Sequence, residues 1–284
     1  MRRRTCGDLP QQAAAQPKLN FILILMDDLG WADVGCYGSK FYRTPNLDRM
    51  AARGIRFTNG YAASPVCSPT RAAVMTGKYP AHVGVTNYLP GKHQLPYSKL
   101  LPPESKQFLG LEEVTIAETL KAAGYKTAHL GKWHLGPTPG HWPNKQGFDV
   151  NIGGTESGMP KSFFYPQWEN NPPIKAREGE YLTDRLTDEA VQFIKENRAV
   201  PFFLYLPHYA VHVPIEAKED LVKKYRGRVA PNQLQNDPVY AAMIESMDES
   251  VGRILKTLDE LQLANQTVVV FASDNGGLSA LSGS

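Results

Sequence analysis

Apolar positions fall in two rhythms along this chain, short unbroken runs and longer stretches at helical spacing, and the two alternate. Leu19 to Met26 is rich in Ile and Leu, is broken only by Asn20 and stops at Asp27-Asp28, which predicts a buried central strand ending in carboxylates. An adjacent acid pair is most often a solvated turn; at a strand end it is also where a site would be built. Thr44 to Gly54 carries a helix signature, with Thr44 as cap, Pro45 at the first helical position and Gly54 as stop. Ile55 to Phe57 then opens another strand. Pro69 suits a first helical turn and Thr70 to Thr76 has helical character, so Cys67 belongs at a helix N-terminus, where free N–H groups favour an anion. Residues 85–112, rich in Pro, Gly and Lys and without a period, read as a long surface loop.

Thr115-Ile-Ala-Glu118 is a capping box opening a short helix that Gly124 closes. Lys126 to Leu130 is the next strand, running into Gly131-Lys-Trp-His-Leu-Gly136. Residues 137–180 are irregular and aromatic, with Trp142, Phe148, Phe163, Phe164, Tyr165 and Trp168; packing of a long loop is their first expected use, and stacking on sugar or aryl rings the second. Leu182, Leu186, Ala190, Val191 and Ile194 recur at helical spacing between Tyr181 and Asn197, and the strand Pro201 to Leu206 leads to His208 and His212. Tyr240, Met243, Ile244, Met247, Val251, Ile254, Leu255 and Leu258 trace one face of a long amphipathic helix, which makes the methionines core residues. Thr267 to Ala272 is the last strand and stops at Ser273-Asp274-Asn275. Strands alternating with helices predict an α/β fold with a mostly parallel central sheet, and the polar clusters lie at strand C-terminal ends, where such sheets place ligands.

Composition narrows the function classes. The 284 residues are 42% hydrophobic, enough for a sizeable core, and 31 basic against 28 acidic residues give a net charge of +3, so no nucleic-acid partner is expected. Cys6, Cys36 and Cys67 make no disulfide framework. The longest apolar run is too short for a transmembrane segment. Residues 1–18 start basic and contain an Ala-Ala-Ala run but lack an apolar core, so they read as a flexible leader or the remnant of a targeting segment, ahead of a catalytic domain over 19–284. A single sequon at Asn265 is weak evidence for secretion.

Cys67, Pro69 and Arg71 form a C-x-P-x-R pentapeptide. The bland reading of Cys67 is a small buried hydrophobe near a turn. With the strings LMDDLGWADVGCYG, CSPTRAAVMTGKYP, GKWHLG and SDNGG in this order, however, the chain resembles the type I sulfatases of the alkaline phosphatase superfamily across its whole readable length. The resemblance implies that Cys67 is oxidised by a formylglycine-generating enzyme to Cα-formylglycine, whose hydrate would attack a sulfate ester with one hydroxyl and expel sulfate by deprotonation of the other. It implies a divalent cation held by Asp27, Asp28, Asp274, Asn275 and residue 67; an all-oxygen shell suits Ca²⁺, with Mg²⁺ the alternative, and disfavours Zn²⁺. Arg71 would orient the formylglycine, Lys132 would neutralise sulfate oxygens, His134 would deprotonate the second hydroxyl and His212 would serve the ester and its leaving group. His212 is preferred to His208 because x-Pro follows it, and His208 and His141 read as structural.

The implied activity is hydrolysis of a sulfated carbohydrate or aryl sulfate, in a periplasmic or secreted setting. Two readings stay open beside it: a phosphodiester or phosphonate ester hydrolase of the same superfamily, and a degenerate member that binds sulfated glycans without turnover. Family members run on past the last string to a second sulfate-binding lysine and a smaller C-terminal subdomain, so the chain is expected to be C-terminally truncated.

Overall fold

The computed structural model describes residues 18–91, 97, 99–100, 104–168, 172–229 and 235–277. The expected leader, Lys18 apart, lies outside the described residues. In chain order the elements are β1 (Asn20–Met26), α1 (Pro45–Arg53), α2 (Cys67–Thr76), α3 (Pro80–Val83), α4 (Ile116–Ala122), β2 (Lys126–Leu130), β3 (Val150–Ile152), α5 (Leu182–Glu196), β4 (Phe202–Pro207), α6 (Glu219–Arg226), α7 (Pro238–Glu260) and β5 (Thr267–Ser273), with short 3-10 turns between them.

The strands form one five-stranded sheet in the order β3-β2-β4-β1-β5, and every pairing is parallel. The central strands are buried on both faces, which is why they read as runs and not as alternations. On β4, Phe202, Leu204 and Leu206 point into a core with Leu186, Ala190 and Ile194 of α5 and Ile244, Met247 and Val251 of α7. Its Phe203 and Tyr205 point the other way, onto Ala72 and Met75 of α2, Ala117 of α4, and Trp133. Each of these wholly buried large side chains contributes about 1.5–3 kcal/mol by leaving water. Asn20, the polar break in the first run, ties the sheet across its width: its Oδ1 accepts from Phe202 N at 3.1 Å and its Nδ2 donates to Thr267 Oγ1 at 3.3 Å. The capping box at α4 is made as expected, Glu118 N donating to Thr115 Oγ1 at 3.1 Å and Thr115 N to Glu118 Oε2 at 2.8 Å.

Three local expectations need correction. Ile55 to Phe57 is not a strand: among the described residues nothing pairs with it, and Ile55 and Phe57 are 82% and 71% exposed. Without a ladder partner the β-prone triplet meets its backbone needs elsewhere, the Phe57 carbonyl accepting from the Tyr37 hydroxyl at 2.7 Å. The loop expected at the surface over residues 85–112 is partly interior, since Val85, Leu89 and Leu109 enter the second core. The irregular stretch 137–180 holds β3, too short to carry a periodic signal, and α6 also escaped notice. The aromatics of that stretch largely pack: Phe148, Phe163 and Trp168 are buried, and the Trp168 indole donates to the Ile174 carbonyl at 2.9 Å.

Candidate active site

Four strand ends and one helix start meet at the C-terminal edge of the sheet. Asp27 and Asp28 follow β1, Lys132 and His134 follow β2, His212 follows β4, Asp274 and Asn275 follow β5, and Cys67 is the first residue of α2. The convergence depends on close approach of the strand ends. Gly131, with φ at 131°, lets β2 come against β4: a Cβ there would lie 2.0 Å from the Pro207 carbonyl oxygen, whereas the glycine allows Lys132 N to donate to that oxygen at 2.7 Å. Asp28 and His134 both adopt left-handed backbone, φ 57° and 58°, a conformation costly for residues with a Cβ and concentrated at functional sites.

At the centre lies a wholly buried ionic cluster. The Arg71 guanidinium donates through Nε and Nη2 to Asp274 Oδ2 at 3.0 and 2.8 Å, through Nη2 to Asp27 Oδ1 at 3.2 Å and through Nη1 to the Lys132 carbonyl at 3.0 Å. Lys132 Nζ donates to Asp27 Oδ2 at 2.6 Å. Burial works against the charge on Asp27, yet Lys132 and Arg71 outweigh it and hold its carboxyl below the usual range. Asp274 goes the other way: burial, reinforced by the negative charge of Asp27, pushes it up to about 6. Burial alone would ease the proton off Arg71, but Asp274 and Asp27 hold it on. Asp28 is anchored at the rim, its Oδ1 accepting from Asn275 Nδ2 at 2.5 Å and its Oδ2 lying 3.6 Å from His212 Nε2.

Cys67, Asp27 and His212 bring ligand atoms within 4.8 Å of one another, as do Asp27, Asp28 and Asp274. Burial and the neighbouring Asp27 push the Cys67 thiol up to about 12, so as encoded it is a neutral thiol and a poor nucleophile. His134 is buried with Nε2 2.6 Å from the Leu89 carbonyl, and burial together with Lys132 lowers its pKa to about 3, which keeps it neutral. His212 directs Nδ1 at its neighbouring Val213 carbonyl, 3.0 Å away, leaving Nε2 toward the carboxylates. All nine residues expected at the site are therefore in one place. His208 is apart from them, wholly buried against Ser250 Oγ at 3.1 Å, and His141 contacts Thr138 and the Phe108 ring.

The donor set is one for a hard cation. Three carboxylates and a carboxamide supply only oxygen ligands, and Asn275 Oδ1 is buried with no hydrogen-bond partner among the described residues, a costly state that a cation would relieve. The residues fit such an ion. Sequence reasoning missed the Leu89 carbonyl on His134, because a main-chain oxygen in an aperiodic loop leaves no side-chain signature. It also missed Gly158, where a Cβ would lie 2.6 Å from Cε1 of the His134 ring.

The family model described as Sulfatase matches residues 19–280. Human N-acetylgalactosamine-6-sulfatase is 39% identical over 280 residues, covering 93% of this chain and 51% of the relative. Human steryl-sulfatase is 32% identical over 340 residues, covering 93% and 55%. Among solved structures, that of Ps i-CgsB in complex with k-i-k-neocarrahexaose is similar with a TM-score of 0.76 and 34% identity, over 92% of this chain and 59% of that one. The chain thus spans about half the length of the curated relatives it matches. With the family match over nearly all of its residues, the chain belongs to the sulfatase family.

Proposed function

We propose that this chain carries the catalytic centre of a sulfate ester hydrolase that uses residue 67 as Cα-formylglycine and a divalent cation, Ca²⁺ or alternatively Mg²⁺, held by Asp27, Asp28, Asp274, Asn275 and residue 67. The observation that carries the reading is the placement of Cys67 at a helix start beside the buried Asp27–Arg71–Asp274 cluster, as a thiol that is unreactive as encoded. Charge supports the cation. Among the described residues the cluster sets three carboxylates, Asp27, Asp28 and Asp274, against two permanent cations, Arg71 and Lys132, an excess of negative charge that would repel a sulfate monoester; a divalent ion reverses that sign. When bound, the ion supplies Lewis acidity to the ester and to the attacking hydroxyl. Residue 67, oxidised to the aldehyde and hydrated by one water to the gem-diol, would supply one hydroxyl for attack at sulfur with loss of the alcohol, and a second whose deprotonation expels sulfate and restores the aldehyde.

The protein's own groups divide the remaining work. Arg71 holds Asp27 and Asp274 in register. Lys132, tethered to Asp27, offers its ammonium to sulfate oxygens. His134, neutral and buried, accepts a proton, and His212 serves the ester oxygen from the rim. A sulfated carbohydrate is the favoured substrate class, in keeping with a relative named for a sulfated sugar and a solved neighbour holding an oligosaccharide; a simple aryl sulfate is the second candidate. The test is co-expression with a formylglycine-generating system, mass spectrometry of the peptide containing residue 67, and assay against sulfated saccharides, aryl sulfates and a phosphodiester. An aldehyde at residue 67 with sulfate release is expected; turnover by material whose residue 67 is an unmodified thiol would overturn the nucleophile assignment.

A further inference from the structure

The motif residue between Cys67 and Pro69 is Ser68, which is wholly buried. Ser68 Oγ accepts a hydrogen bond from Leu89 N at 3.1 Å. The carbonyl of the same Leu89 faces His134 Nε2 at 2.6 Å. A carbonyl can only accept, so Nε2 carries the ring proton and the neutral imidazole has its lone pair at Nδ1. That Nδ1 is buried and has no hydrogen-bond partner among the described residues. Gly158 closes on the same ring, with room for no side chain: a Cβ would lie 2.6 Å from Cε1, 2.7 Å from Nε2 and 3.1 Å from Nδ1.

We propose that Ser68 is a positioning residue for His134: by clamping the Leu89 peptide it fixes the tautomer and ring orientation of the imidazole, so that the lone pair of Nδ1 stays free to accept a proton. Ser68 lies in the first turn of α2 whereas Leu89 belongs to no helix or strand, so the helix-borne Ser68 anchors this relay. The pentapeptide then does two jobs, supplying residue 67 and, one position on, fixing the base that would act on it. The second job rests on the sulfate-hydrolase reading for its chemistry; the tautomer does not.

The test is made on the full chain labelled with ¹⁵N-histidine, reading the ring nitrogens of His134 in long-range proton–nitrogen correlation spectra. The unaltered protein is expected to show a protonated Nε2 and a bare Nδ1. Ser68→Ala is expected to move both resonances toward the averaged values of exchanging tautomers, and Ser68→Thr, which keeps the hydroxyl, to restore the fixed pattern. Should Ser68→Ala not fold, Ser68→Cys, whose sulfur is only a weak acceptor for the Leu89 N–H, is read in the same way. In formylglycine-bearing protein, normalised to the aldehyde content of each variant, Ser68→Ala is expected to lower kcat roughly ten- to hundredfold with KM unchanged. A Ser68→Ala protein that keeps the fixed tautomer overturns the proposal. A tautomer released as expected, in a protein that hydrolyses no sulfate ester in any form, upholds the positioning and overturns the proposed function instead.

Discussion

Arg71 and Asp274 stand 203 residues apart in sequence, and in the fold one carboxylate oxygen of Asp274 accepts both the Nε and the Nη2 protons of Arg71. This contact fastens the start of α2 to the end of β5, and the same guanidinium holds Asp27 at the end of β1. With both partners almost wholly buried, Arg71→Ala would strip Asp274 of its only ion-pair partner among the described residues and leave Asp27 with Lys132 alone. The expected loss of stability is about 3–5 kcal/mol, read from urea unfolding, and Arg71→Lys, which lacks the planar fork, should recover only part of it. A loss below about 1 kcal/mol would mean that water or rearrangement compensates the acids.

Ca²⁺ is expected to stabilise the folded chain by binding the native carboxylate cluster. At a hundredfold excess over Kd the gain is about 2.7 kcal/mol, or roughly 5 to 10 °C in Tm. Asp274→Ala should abolish the response. Thermal unfolding unchanged between excess Ca²⁺ and chelator would rule out the four-residue metal site.

Stability should fall in mild acid because of histidines unrelated to substrate. Burial lowers His208 to about 3, and burial with the charge of Arg71 lowers His129 to about 3, against about 6.5 in an unfolded chain. Between those values the unfolded chain binds more protons than the folded one, so the contribution is complete above about pH 6.5 and declines as pH drops toward 3. Each such histidine adds a slope of up to about 1.4 kcal/mol per pH unit. In His208→Asn the slope of unfolding free energy between about pH 6 and pH 5 should be smaller by roughly that amount, whatever the variant's stability at neutral pH. An unaltered slope would show that His208 is reached by water.

The two site histidines should fail at different stages. His134→Ala, with no base for the second hydroxyl, is expected to release the alcohol in a single burst and leave sulfate on residue 67, detectable by mass. His212→Ala should slow the first stage without a burst, and its defect should shrink for phenolic leaving groups that need little protonation. The reverse pattern would exchange the two roles.

Much of this was legible in the chain itself. Strong local signals marked β1, β2, β4, β5, α5 and α7 to within a residue or two: β1, β2 and β4 are central strands largely buried on both faces, the edge strand β5 is a run of β-branched residues although Val268 and Val270 are exposed, and the large helices bury one face. The site residues were legible for a different reason: Asp27-Asp28, Lys132 with His134, His212 and Asp274-Asn275 each end a strand, and parallel strands share one C-terminal edge. What tertiary structure alone decided were the non-local and main-chain features. Whether Ile55 to Phe57 is a strand depends on a ladder partner, which a triplet cannot specify. The bare nitrogen of His134 depends on a Leu89 carbonyl, a group every residue possesses, and on the missing side chain at Gly158. The contrasting acidities of Asp27 and Asp274, identical in chemistry, follow from which of them Lys132 reaches across 105 positions, and that is a property of how the strand ends meet.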